Sequence, residues 1–165
     1  MRIAKRRRIE GKTDYKRRLK LLKAGVPRVV IRKSNRNILI QLVESKEARD
    51  FPRVGVFSRE LLKVGWPDEF KGSLKSISAA YLTGLLFGKK MIKHKLKEGI
   101  VDIGLMRSTK GSKIYAAVKG IADAGVEIKC NKKMFPSQER IEGKNLKKDF
   151  SVNFKKIKEK IEHEI

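Results

Sequence analysis

An α/β layer fold with the element order β-β-β-α-β-α, a mixed β-sheet carrying two packed helices, is what the sequence predicts. Three observations predict it. Apolar residues alternate with polar ones between Val26 and Val43, a long helical pattern runs from Ser73 to Lys95, and a short apolar run, Ile100 to Met106, leads into a second amphipathic helix. At 165 residues the chain has the length of one domain with arms, enough to bury roughly 70% of the surface its unfolded form exposes.

Taken in order, Val29 and Ile31 face one way while Arg28, Val30 and Arg32 face the other, which predicts a strand with one basic face. Ser34-Asn35-Arg36-Asn37 reads as a turn, since Asn tolerates a left-handed backbone. Ile38, Ile40 and Leu42 then alternate with Leu39, Gln41 and Val43, completing a hairpin. A third strand is predicted over Arg53 to Ser58, with Pro52 at its start, where a missing N–H does least harm.

Ser73 is the predicted N-cap of the long helix, in which Leu74, Ile77, Tyr81 and Leu85 recur at helical spacing. Ala80, Gly84 and Gly88 form a stripe of small residues, and two helical glycines imply a close approach, here expected against the sheet. The nearly continuous apolar run from Ile100 to Met106 predicts a strand covered on both faces. Lys113 to Ala124 then forms the second helix, with Ile114, Ala117, Val118 and Ile121 on one face and Gly125 as its stop. The strand-helix-strand unit implies a right-handed crossover. Val126 to Ile128 is a last short strand, and beyond Cys130 the chain reads as irregular and charged, ending in a frayed helix from Lys155 to Ile165. The organisation expected is thus a basic arm over residues 1–25, a core domain over 26–130 and a charged extension over 131–165.

Charge bounds the function. The 42 Lys and Arg against 18 Asp and Glu leave +24, and self-repulsion of that size disfavours a compact chain unless a polyanion neutralises it. Residues 1–36 alone carry a net +13. The longest weakly polar run, Ile77 to Gly88, falls short of the ~20 residues of a membrane span, and no apolar stretch follows the N-terminal arginines as in a signal peptide. A single cysteine, Cys130, and two histidines, His94 and His163, leave no multi-cysteine metal site. No membrane, cofactor or small-molecule substrate is expected.

Nucleic-acid binding needs cations for phosphates, rigid surfaces and stacking groups. Arg6, Arg7, Arg8, Lys12, Lys16, Arg17 and Arg18 supply the first in the arm, with Tyr15 as a stacking ring. Arg28, Arg32, Lys33, Asn35 and Arg36 extend the basic surface onto the hairpin. The loop Arg107-Ser108-Thr109-Lys110-Gly111-Ser112, followed by Lys113, reads equally as a phosphate cradle at a helix N-terminus or as an ordinary N-cap at Ser112. It lacks the order of a nucleotide P-loop. A metal-dependent nuclease would rest on Asp102 and Asp123 alone, two carboxylates where several are needed, so Asp102 reads better as a polar contact within the sheet. His94 fits a helix terminus, and Cys130 a small half-buried side chain.

Several of these stretches carry a likeness. Gly11-Lys-Thr-Asp-Tyr15 with Lys16-Arg-Arg-Leu19, Pro27 to Asn35, Ala79 to Leu86, Asp102-Ile-Gly-Leu105 with Thr109-Lys-Gly-Ser112, Ala116 to Gly125 and Glu139 to Gly143 together resemble the archaeal form of large-subunit ribosomal protein eighteen, over about residues 11 to 143. The resemblance implies a structural, non-catalytic, cytoplasmic role: binding of 5S ribosomal RNA and its attachment to the large-subunit ribosomal RNA in the central protuberance, among neighbouring large-subunit proteins. It implies the mixed α/β fold of translation-machinery components. It also places RNA against Arg6 to Arg18 and against Arg28, Arg32, Lys33, Ser34, Asn35 and Arg36. The sequence departs from the family at Lys75 to Ser78, where relatives often carry a proline turn, and at Met106 and Ser108, where His and Pro are common. On this reading the arm is poorly ordered in the free protein and orders between RNA helices. The alternative is a general structured-RNA or polyanion-binding module outside the ribosome.

Overall fold

The computed structural model describes residues 5–47, 49–146 and 149–164. The predicted alternation gives β1 (Arg28–Lys33) and β2 (Ile38–Lys46), antiparallel, with Val29 opposite Leu42 and Ile31 opposite Ile40. All four of these side chains are buried on one face of the sheet. The turn between the strands is closed by Ser34, whose N–H donates to the Asn37 carbonyl at 2.9 Å and whose Oγ accepts from the Asn37 N–H at 3.0 Å. Neither Asn35 nor Asn37 takes up the left-handed backbone, because the serine hydroxyl closes the turn without it.

Strand β3 (Arg49–Phe57) begins four residues before its predicted start. Pro52 therefore lies within it, opposite Val43, at a bulge beside Leu42. That is tolerated because β3 is an edge: the sheet order is β3-β2-β1-β4. Strand β4 (Ile100–Asp102) pairs parallel with β1 and is much shorter than the apolar run that predicts it. It ends where Asp102 bonds the Gly104 N–H at 2.8 Å and Gly104 adopts φ +60°. The short strand expected over Val126 to Ile128 is reduced to a single parallel bridge between Glu98 and Glu127.

The apolar face of the sheet is covered by helix α4 (Ile77–Lys93), capped by Ser76, whose Oγ accepts from the Ala79 N–H at 3.1 Å. Ser73, the predicted cap, instead ends a 3-10 turn over Asp68–Ser73, which follows the short helix α3 (Leu61–Val64). Helix α5 (Lys113–Asp123) stops at Gly125, φ +99°, as predicted. The small-residue stripe faces α5 rather than the sheet. A Cβ on Gly84 would lie 2.2 Å from the Ala117 carbonyl oxygen, and one on Gly120 would lie 2.1 Å from that of Tyr81. Glycines on both helices thus bring the two backbones together, which correlated placement in three dimensions decides and single-helix spacing does not.

The C-terminal segment departs most from expectation. After the short helix α6 (Gln138–Glu142), helix α7 (Ser151–Glu164) lays Phe154, Ile157 and Ile161 into the core, together with Phe150 just before it. The Phe150 ring sits 4.7 Å from Trp66 and 5.1 Å from Phe70, and Tyr81 lies 5.6 Å from Phe154. The frayed end expected from charge content is therefore a packed amphipathic helix. Phe150, Phe154, Ile157 and Ile161 sit four, three and four positions apart, a helical stripe that the intervening lysines obscure.

Candidate nucleic-acid interface

The helices occupy one face of the sheet, and the other receives the N-terminal arm. After α1 (Arg6–Ile9), Asp14 caps α2 (Tyr15–Lys23) by accepting from the N–H groups of Lys16 and Arg17, both at 3.0 Å. Arg18 Nη2 then reaches Asp50 Oδ2 at 2.7 Å, and Arg17 Nη1 reaches the Gly104 carbonyl at 3.1 Å. The segment expected to order only on RNA thus already holds a capped helix, tied to the sheet by two arginines.

Beneath α2 lies a chain of alternating charge. Asp50 also accepts from Arg28 Nη2 at 2.8 Å, Arg28 Nη1 donates to Asp102 Oδ2 at 3.0 Å, and Arg32 Nη2 stands 3.4 Å from Asp102 Oδ1. Burial by itself raises the Asp50 carboxyl. Hydrogen bonds from Ser45, Arg18 and Arg28, with the charge of Arg28, outweigh it and hold the group below its ordinary value. Arg28 is only 3% exposed, which corrects its sequence assignment to an RNA-facing surface. It lies on the predicted face, but the arm and two carboxylates cover that face. Arg32 remains half-exposed while Nη1 donates to the carbonyls of Ile31 at 2.9 Å and Asp102 at 2.8 Å.

Between α2 and the ends of β1 and β4 opens a groove of about 1140 Å³. It gathers Arg7, Lys12, Tyr15, Arg17, Arg18, Arg32 and Lys33 from the predicted set, with Lys5 added. Its acids, Asp14, Asp50 and Asp102, are each engaged by the helix cap or by arginines. Asp50 and Asp102 are paired with arginines and Asp14 is held by backbone N–H groups, so the remaining cations dominate the groove. Tyr15 is partly occupied by Lys5, whose Nζ stands 4.5 Å from the ring centroid. Arg8 and Lys16 line an adjoining cleft with Tyr15 and Leu105. Arg6 is exposed and stands 3.5 Å from Glu10.

The other predicted residues lie outside this groove. Arg107, Thr109 and Lys110 are exposed on the loop before α5. Ser112 occupies the N-cap position but makes no capping bond, and its buried Oγ has no partner, so the side-chain cap is not formed. Burial lowers the Lys113 ammonium pKa, with repulsion from Lys33 and Lys75 adding to the shift. That coupling joins the end of β1 to the start of α5 and brings in Lys75, which the sequence reading does not place among the RNA-binding residues. Ser34 and Asn35 are exposed at the hairpin tip, and Arg36 faces a different cleft. The nuclease pair does not converge on a common site: Asp102 is held by Arg28, while Asp123 accepts from the Tyr81 hydroxyl at 2.8 Å. Burial and that neighbouring carboxylate push the Tyr81 phenol up. Among the described residues no three His, Cys, Asp or Glu side chains group to hold a metal ion. No helix there is long and apolar enough to cross a membrane.

Comparison with known proteins gives one consistent answer. A family model described as "Ribosomal large subunit proteins 60S L5, and 50S L18" matches residues 1–99 and 94–131. Proteins named large ribosomal subunit protein uL18 are similar over most of the chain. The one from Methanococcoides burtonii is 45% identical over 87% of this chain and 81% of its own length. That from Methanothrix thermoacetophila is 43% identical over 97% and 95%, and that from Korarchaeum cryptofilum 46% identical over 86% and 70%. These relatives are ribosomal proteins, not enzymes, and the nuclease reading falls with them. A mixed sheet under packed helices, a basic groove whose acids are held by protein donors, and these matches along the chain agree: the protein belongs to the family of ribosomal large-subunit proteins that includes 60S L5 and 50S L18.

Proposed function

We propose that this chain binds 5S ribosomal RNA and fastens it to the large-subunit ribosomal RNA in the central protuberance, alongside neighbouring large-subunit proteins. The observation that carries the reading is the groove between α2 and the sheet, where arginines and lysines surround carboxylates already bound to protein donors. Such a surface attracts phosphates without needing to expel its own counter-charges. It is built on a rigid sheet and a capped helix, so it offers a fixed shape to a folded RNA, and shape with 2′-hydroxyl contacts supplies the preference that phosphates alone do not.

The test is competition at physiological salt between 5S ribosomal RNA and a structured RNA of the same size. The expected result is a large preference for 5S RNA, with log affinity falling against log salt at a slope of about −4 to −5 for six neutralised phosphates. Equal affinity for both RNAs and for heparin would instead make the chain a general polyanion binder.

A further inference from the structure

A second cleft, of about 380 Å³, opens at the hairpin tip, between the β1–β2 turn and the 3-10 turn Asp68–Ser73. Arg36, Asn37, Arg59 and Lys71 line it over an apolar floor of Leu62 and Leu74, and it shares no residue with the arm groove. Its size falls within the range of roughly 300–1,000 Å³ usual for small-ligand sites. Lys71 pairs with Asp68, and the Arg59 guanidinium stands 5.7 Å from the Phe57 ring centroid. The Arg36 side chain has no protein partner among the described residues.

Asn37 sets the cleft apart. The residue is only 7% exposed, and its backbone N–H and carbonyl are both taken up by Ser34. Its carboxamide makes no hydrogen bond to any described residue. Neither carboxamide atom is sealed off from solvent, so on an otherwise buried residue the donor and the acceptor are both presented to the cleft, where a ligand need displace only water. Here they border a cleft rimmed by cations. A carboxamide offers a donor and an acceptor side by side, the pattern of a nucleobase edge, whereas an acidic peptide would call for donors alone.

We propose that this cleft receives one unpaired nucleotide of an RNA, its phosphate between Arg36 and Arg59 and its base edge on the Asn37 carboxamide. The inference rests on the chain being an RNA-binding protein, as proposed above, and adds a contact separate from the arm groove. A chain with two cationic surfaces, one at the arm and one at the hairpin tip, is equipped to hold two RNA segments at once. The phosphate contributes by charge, while the apolar floor accepts the base.

The experiment follows the Asn37 side-chain amide resonance in the full chain while a single-stranded uridine or adenosine tetranucleotide is added, with a tetraglutamate peptide as the control. A shift with RNA is expected that persists in an Arg8→Ala/Lys16→Ala chain and is lost in Arg36→Gln/Arg59→Gln, whose salt slope should be about 0.7 shallower, the share of one single-strand phosphate. Asn37→Asp, close in shape, should weaken binding about tenfold by setting a carboxylate against the incoming base and phosphate. A silent Asn37 amide, or one that responds to tetraglutamate rather than RNA, overturns the proposal. If 5S RNA is bound selectively while Asn37 stays silent, the cleft alone is refuted. If Asn37 responds but 5S RNA is not preferred, the 5S reading fails and the cleft stands.

Discussion

Arg28 donates to Asp102 at 3.0 Å in a position where neither side chain exceeds 8% exposure. The pair locks β1 to the parallel strand β4, and with Asp50 and Arg18 it continues to the arm. Removing one member of such a pair leaves the other charge buried. Arg28→Met should therefore cost about 3 kcal/mol, the lower end of the usual range, since Arg32 still stands near Asp102. Urea unfolding measures it, and an unchanged midpoint would contradict the account.

Asp50 links arm and sheet, and its folded pKa lies below the ordinary 3.8. A carboxyl depressed by folding adds stability that is complete above its unfolded pKa and is lost as pH falls through the lower folded value. The protection of the α2 amides, measured against their intrinsic exchange rates, should accordingly be greatest above about pH 4 and decline below 3.8. In Asp50→Asn the same amides should exchange faster and without that acid transition.

The arm's RNA contacts can be probed without undocking it. Arg17 and Arg18 hold the arm to Gly104 and Asp50, so their replacement mixes two effects. Arg8 and Lys16 make no side-chain bond among the described residues. Arg8→Ala/Lys16→Ala should leave the melting temperature unchanged and make the salt slope of RNA binding shallower by about 1.4 to 1.8. A full wild-type slope would place the RNA elsewhere.

The contact between α4 and α5 leaves no room for a methyl group. In Gly84→Ala the new Cβ meets the Ala117 carbonyl oxygen 2.2 Å away, and backbone cannot swing aside as a side chain does. A loss of about 3 kcal/mol is expected, the upper end for overpacking. A fall in melting temperature checks it, and Gly72→Ala, which meets nothing within 4 Å, serves as the control.

Helix α7 belongs to the core, so Phe154→Ala should destabilise the whole chain by about 3–5 kcal/mol. A helix that merely frayed would show no change. Denaturant unfolding followed at Trp66, which packs on Phe150, reads the effect directly.

Much of this was legible in the residues. Alternation at Val29, Ile31, Ile38, Ile40 and Leu42 marked the buried face of the sheet, and Gly125 marked the end of α5, because burial and left-handed backbone each select residue types locally. The arm cations were visible as composition, and most of them border the groove or its neighbouring cleft. Alternation also put Arg28 on the right face, yet a period of two cannot say what lies above that face. Asp50, Arg59 and Lys71 carried no motif and Asn37 only that of a turn, since Asp50 meets its arginines and the cleft residues meet one another only when segments distant in the chain come together.

The sequence by itself determined the class of the fold, the polyanionic character of the partner and the family, because periodicity, net charge and spaced motifs are properties of a chain read in order. The tertiary structure alone decided which charges remain available. It spent Arg28, Asp50 and Asp102 on one another, turned the glycine stripe toward a second helix and drew α7 into the core. Each of these depends on segments far apart in sequence meeting in space, where desolvation makes a charge seek its opposite and close packing makes a missing Cβ matter.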